Sequence, residues 1–156
     1  MTHDPHDAGS GAIDLDEDVS FAVYATALAF NKAYKSLLHP LRLTYPQFLV
    51  MIVLWGRDNV TVNELGTRLF LDSGTLTPLL KRLEAAGYVR RERDPTDNRQ
   101  VRITLADPGR ALEPGAKSVS EKLSRAIDLG AGGTISLRHA LATLRQKLGR
   151  PSGHAS

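Results

Sequence analysis

Cysteine is absent from these 156 residues. Its absence excludes a disulfide framework, a Cys-ligated zinc site, and any thiol nucleophile or redox switch in the chain. Long hydrophobic runs are also missing. The longest, Phe48 to Trp55, has eight residues, against the roughly 18 that a membrane helix needs. The first 18 residues lack Lys and Arg and hold six acids: Asp4, Asp7, Asp14, Asp16, Glu17 and Asp18. That start is no secretory signal, and a cytoplasmic protein is expected. No HExxH, nucleophile elbow or phosphate-binding loop occurs, so no enzyme is expected. His3 and His6 form a lone pair in a polar leader, and His39 and His139 have no visible partners. No metal and no cofactor are expected.

Hydrophobic residues make up 42% and charged residues 24%. That composition suits one packed domain with helical extensions. The net charge is +3, with 20 basic and 17 acidic side chains. Because six acids lie in the leader, the rest of the chain carries 20 basic against 11 acidic groups, a net of +9. A basic body of this size points to nucleic acid or another polyanion as partner.

Hydrophobic periodicity predicts a helix from Asp16 to Leu38 with two apolar faces. Phe21, Tyr24 and Leu28 lie along one; Val23, Ala27, Phe30, Tyr34 and Leu37 lie along the other. Two faces need two burial partners, one of which could be a second subunit. His39-Pro40 ends this helix. Thr44-Tyr45-Pro46 opens the next, whose run from Phe48 to Trp55 is apolar all round and expected to be central. Thr61-x-x-Glu64 forms a capping box for a short third helix. Leu76, Leu79, Leu80 and Leu83 then recur at i, i+3, i+4 and i+7, the stripe of an amphipathic helix ended by Ala86-Gly87. Its start is open between Ser73 and Thr77, the second placing Pro78 in the first turn.

The period then changes to two. Tyr88 to Arg93 and Gln100 to Leu105 flank residues 94–99 as a hairpin with one packed and one basic face. Leu112, Ala116, Val119, Leu123 and Ala126 form a lengthwise helical seam. Glu113-Pro114-Gly115 marks either a kink or a late start in it. After Gly130-Ala131-Gly132-Gly133, Leu137, Leu141, Leu144 and Leu148 form a second seam.

Helix, turn, amphipathic helix and basic hairpin, in that order, are the parts of a winged helix-turn-helix. With the four leucines turned inward, 100° per residue places Gly74, Pro78 and Lys81 at the opposite pole, flanked by Thr75, Thr77 and Arg82. Hydroxyls, a glycine and two cations without bulky apolar groups suit a major groove about 12 Å wide. Arg93 and Arg99 belong to the same basic surface, since an arginine at a hairpin tip can enter the minor groove. Asp97 is assigned to holding the wing in shape by pairing with Arg99, which then has a mixed role. The expected fold is mainly α, a winged helix-turn-helix with N- and C-terminal dimerisation helices and a two-stranded β wing. Its expected parts are a flexible acidic leader (1–15), N-terminal helices (16–58), a DNA-binding lobe (59–106), C-terminal dimerisation helices (107–148) and a flexible tail (149–156).

The stretch from Leu71 to Glu84, with Gly87-Tyr88-Val89 and Asp97-x-Arg99-x-Val101-x-Ile103-x-Leu105, resembles the MarR family of dimeric winged-helix repressors. Phe21-Ala22-Val23-Tyr24-Ala25, Tyr34-Lys35-x-Leu37-Leu38 and Leu43-Thr44-Tyr45-Pro46-Gln47-Phe48 narrow the resemblance to its organic hydroperoxide resistance regulators. The resemblance covers about residues 15–148. It implies a homodimer that represses transcription from an inverted-repeat operator in double-stranded DNA. Specificity would come from Ser73, Thr75, Thr77 and Pro78, beside the backbone-approach residue Gly74. Affinity would come from Lys81, Arg82 and the wing arginines.

It also implies an organic hydroperoxide as effector, sensed by a cysteine just before the phenylalanine of the first helix. Here that position is Ser20. The family holds its sensor thiol with tyrosines, some from the other subunit, and Tyr34 and Tyr45 match them, with Tyr24 nearby. A thiol can form a thiolate and then a sulfenic acid; a serine hydroxyl does neither. The chain would therefore imitate the reduced, DNA-competent sensor. Ser20 is either an engineered replacement or the mark of a natural member with another signal. Two other readings stay open: a regulator of the wider family that answers to a phenolic ligand, and a protein-interaction module that has lost DNA binding.

Overall fold

The computed structural model describes residues 14–149. The expectations for the leader, including His3 and His6, and for the tail beyond Gly149 lie outside the described residues. Helix α1 spans Val19–Leu38 and starts three residues later than expected, because the Asp18 carboxylate caps it by accepting from the Ser20 and Phe21 N–H groups. A single 3-10 turn, His39–Leu41, follows and closes on Arg42 in the left-handed region. Helix α2 spans Tyr45–Gly56. Thr44 and Gln47 form a reciprocal capping box at its start, which frames Pro46 in the first turn.

Phe48, Val50, Met51 and Leu54 of α2 are buried, and this helix runs through the core as expected. The expectation of burial all round fails at Ile52, which is 42% exposed. Strand β1, Val60–Thr61, leads into α3, Val62–Leu69. The expected Thr61–Glu64 capping box is present in both directions, at 2.7 and 3.1 Å. A Cβ on Gly66 would stand 2.8 Å from the Leu71 carbonyl, so the tight turn out of α3 requires glycine there.

Helix α4 spans Ser73–Ala85, and strands β2, Val89–Arg93, and β3, Val101–Leu105, form the hairpin. The expected two-stranded wing is a three-stranded antiparallel sheet in the order β1-β3-β2. Val60 faces Ile103 and Thr61 faces Arg102 across the extra pair. Two residues are too few to show alternation in a sequence, which is why β1 was not expected.

Three helices follow: α5, Asp107–Ala111; α6, Glu113–Ala126; and α7, Gly133–Leu148. The break falls at Leu112, and α6 starts afresh with Pro114 in its first turn, so a late start rather than a kink is observed. Ala116, Val119 and Leu123 of the α6 seam are buried, whereas α7 has no buried residue. No single helix among the described residues is long and apolar enough to cross a membrane.

Candidate nucleic-acid interface and helix pocket

The Asp72 carboxylate fixes the start of α4 by accepting from the Thr75 N–H at 2.7 Å, and these bonds hold its pKa below the ordinary value. The helix therefore begins at Ser73, not Thr77, and Pro78 is its sixth residue. Proline brings no N–H to the Gly74 carbonyl four residues earlier, so that acceptor is left out of the helical ladder. Gly74 leaves room for the cap, since a Cβ there would stand 3.2 Å from the Asp72 carboxylate.

Leu76, Leu79, Leu80 and Leu83 are all buried. The opposite side is set by that burial: Ser73, Gly74, Thr75, Pro78, Lys81 and Arg82 are exposed, and Thr77 is half-buried. The arrangement presents three hydroxyls and two cations on one helix. Such a surface can meet phosphates and base edges together.

Arg93 and Arg99 are exposed on the hairpin. The Asp97 carboxylate accepts within the loop from one main-chain and one side-chain donor: the Arg99 N–H at 3.0 Å and the Gln100 side-chain amide at 3.3 Å. The expected Asp97–Arg99 ion pair is not among the salt bridges of the described residues. Arg99 thus keeps its guanidinium available for a ligand.

The wing is centred on Asp94, which composition and spacing did not single out. Its carboxylate is buried to 5% exposure and accepts from the Thr96 hydroxyl (2.6 Å), the Thr96 and Asp97 N–H groups, and the Arg102 guanidinium (2.5 Å). The Thr96 hydroxyl, with the other donors behind it, holds the carboxyl far below the usual carboxylate range. The signal was there to read, because Asp-Pro-Thr is an Asx-turn sequence. Arg102 also donates to the Asn59 carbonyl at 3.0 Å, which ties the wing to the turn before β1. Arg102 is therefore committed to structure. Arg91 pairs with Ile103 across the hairpin and lies on its packed side, contrary to a simple count of basic wing residues.

Tyr34 of α1 and Tyr45 of α2, both packed against the core, are stacked, with centroids 4.0 Å apart and planes 27° apart. Burial, with the neighbouring Tyr45 hydroxyl, pushes the Tyr34 phenol up to about 12. Tyr34 stays protonated and can donate a hydrogen bond at any physiological pH. Ser20 and Tyr24 are exposed and lie elsewhere. Ser20 and Tyr34 are 14 residues apart on the same helix, about 21 Å along its axis at 1.5 Å per residue. One chain brings two of the four expected pocket residues together and leaves the other two apart.

A family model described as transcriptional regulator SarA/Rot matches residues 32–113. The HTH-type transcriptional regulator TtmR of Methylorubrum extorquens is 51% identical over 143 residues, covering 89% of this chain and 71% of its own. The chain belongs to the SarA/Rot/MarR-type winged-helix transcriptional regulators. This regulator is also similar to the organic hydroperoxide resistance transcriptional regulator of Bacillus subtilis, 37% identical over 134 residues, with 86% of this chain and 91% of that one covered. Among solved structures, reduced AbfR bound to DNA matches with a TM-score of 0.73 and 35% identity, over 86% of this chain and 92% of that chain. AbfR is a protein of Staphylococcus epidermidis. Its disulfide-formed structure matches with a TM-score of 0.64, at 34% identity over 83% of this chain and 91% of that one.

Proposed function

We propose that this regulator is a cytoplasmic homodimer that represses transcription by occupying an inverted-repeat operator, and that Ser20 fixes it in a reduced-like state. The observation that carries the DNA reading is the exposed face of α4 beside a wing braced by Asp94 and Arg102. Ser73, Gly74, Thr75, Thr77 and Pro78 approach base edges in the major groove. Lys81, Arg82, Arg93 and Arg99 neutralise phosphates and reach the adjoining groove. Two α4 helices then read half-sites about 10 base pairs apart. Residues 59–106 form the DNA-binding lobe in this reading, and residues 16–58 and 107–148 carry the dimer.

The dimer reading rests on surface that one chain leaves bare. Val19, Phe21, Val23, Tyr24 and Leu28 of α1 are 38–63% exposed, and Leu137, Leu141 and Leu148 of α7 are 44–78% exposed. A 16-residue helix without a buried side chain is marginal alone in water. Apolar stripes on two helices of this kind are interface surface. Leu141→Asp should give a monomer by sedimentation velocity; an unchanged dimer would contradict this use of α7.

A dimer also resolves the divided pocket. Ser20 of one subunit meets Tyr34 and Tyr45 of the other, across the distance that separates them within a chain. Similarity to the organic hydroperoxide resistance regulator of Bacillus subtilis supports a site of this sensing type. A serine hydroxyl hydrogen-bonds with tyrosine hydroxyls as a reduced thiol would, and hydroperoxide does not convert it to a sulfenic acid. Arg99→Ala tests the DNA half of the proposal: weaker duplex binding with an unchanged circular dichroism spectrum is expected, and unchanged affinity would remove Arg99 from the interface.

A second reading, release by a phenolic acid, is favoured by one feature. A hollow of about 410 Å³ between α2 and α6 has an apolar wall of Ile52, Trp55 and Ala116 that suits an aromatic ring, with Lys117 beside it 3.3 Å from Glu113. A dose-dependent rise in Tm with such acids would establish it.

A further inference from the structure

A groove of about 840 Å³ lies between α2 and α3. Leu49, Ile52, Val53 and Leu69 give it an apolar floor, and Arg57 and Arg68 stand on its rim. Arg57 is 3.7 Å from Glu64, and Arg68 is in no ion pair among the described residues. At 100° per residue, Tyr45, Leu49, Ile52 and Gly56 fall on one face of α2. The groove is therefore the continuation, along that face, of the Tyr34–Tyr45 stack.

The segment just before α1 has the complementary chemistry. Leu15 and Val19 are 56% and 63% exposed, and every charged residue from Asp14 to Asp18 is an acid. We propose that the groove receives the segment 14–19 of a second copy of this chain. Leu15 and Val19 cover Ile52 and Leu49, while Asp16 and Glu17 face Arg68 and Arg57.

This inference rests on the dimer reading, and the dimensions agree with it. With Ser20 of one copy against Tyr45 of the other, Leu49 lies about 6 Å and Ile52 about 10 Å farther along α2. Residues 15–17 form a turn, in which the Glu17 and Asp18 N–H groups donate to the Asp14 and Leu15 carbonyls; opened out, the five residues from Ser20 back to Leu15 reach at most about 17 Å. Within one chain the same segment starts about 21 Å along α1 from Tyr34; in the proposed dimer the partner's site comes within its reach. An arm seated there would close the Ser20 site from one side and clasp the two subunits.

The absence of cysteine makes the test direct. Leu15→Cys and Ile52→Cys chains, both altered at exposed positions, are co-expressed and exposed to a mild oxidant. The expected result is a reducible covalent dimer in the mixture that is missing when Leu15→Cys is paired with Arg90→Cys, on the wing. A mixture that stays unlinked while sedimentation shows a dimer would overturn the arm alone. A monomer in sedimentation would overturn the dimer reading beneath it.

Discussion

Arg102 donates to Asp94 at 2.5 Å and to the Asn59 carbonyl at 3.0 Å, so one guanidinium joins the hairpin loop, the central strand and the turn before α3. The same side chain holds the start of the hairpin loop to the turn before β1. That leaves Arg93 and Arg99 as the hairpin's exposed cations at the loop, on a support that does not need reordering when a ligand arrives. Arg102→Ala should weaken duplex binding about tenfold or more, although Arg102 itself is not placed on DNA. Anisotropy titration checks this, with a melting curve to show a lowered Tm. A normal Tm with normal affinity would mean the brace is dispensable.

Acid should act through the same cluster. Asp94 titrates far below its ordinary 3.8 in the folded chain, so the folded state binds fewer protons there than the unfolded one. Its contribution to stability is present above about pH 4 and is lost as pH falls through the folded value. Asp94→Asn should lower stability at pH 7 and flatten its decline below about pH 4. Urea denaturation at pH 7, 4 and 3, compared between the two proteins, measures that difference.

On α4 the two proposed kinds of contact separate experimentally. Lys81→Ala should weaken binding about equally on all duplexes and reduce the salt slope by about one. Thr77→Ala should instead change preference among operator variants, with a cost on the order of 1 kcal/mol at one position. A Thr77 variant with an unaltered base preference would move specificity to other residues of α4.

Tyr34 gives an alkaline signature. Its phenol is raised from 10.0 to about 12 by burial, so the folded state keeps a proton that the unfolded chain releases. Stability should therefore fall as pH rises from about 10 toward 12. Tyr34→Phe should remove that decline, as ultraviolet tyrosinate titration and thermal melts would show together.

Much of this arrangement was legible in the sequence because it depends on local rules. Four leucines at helical spacing placed the outward face of α4 through Lys81 and Arg82 before any coordinates did. Thr61 and Glu64 announced α3 by their spacing alone. Long-range choices were not legible. Nothing local says that Thr61 pairs with Arg102, that Asp94 rather than Asp97 anchors the wing, or that Ile52 is bare in the middle of an apolar run. Pro78 was ambiguous for the same reason: the Asp72 cap, not the proline, decides where α4 begins. Of the four residues expected at the sensor position and around it, Tyr34 and Tyr45 are stacked, and the separation of Ser20 from Tyr34 became plain only with α1 unbroken from Val19 to Leu38.

The sensor position proposed for Ser20 is tested by placing a thiol there. Ser20→Cys should make DNA release depend on organic hydroperoxide, provided the partner's tyrosines frame the site. Mass spectrometry would confirm oxidation of that cysteine. Continued binding by the oxidised variant would show that the pocket is not coupled to α4.

The most direct test of the account is fluorescence anisotropy of the unaltered protein on inverted-repeat duplexes, at two salt concentrations, with and without an organic hydroperoxide. Tight binding that weakens steeply with salt and ignores the peroxide is the expected result. Release by peroxide would contradict the role given to Ser20, and the absence of salt-dependent binding to any such duplex would contradict the DNA-binding function itself.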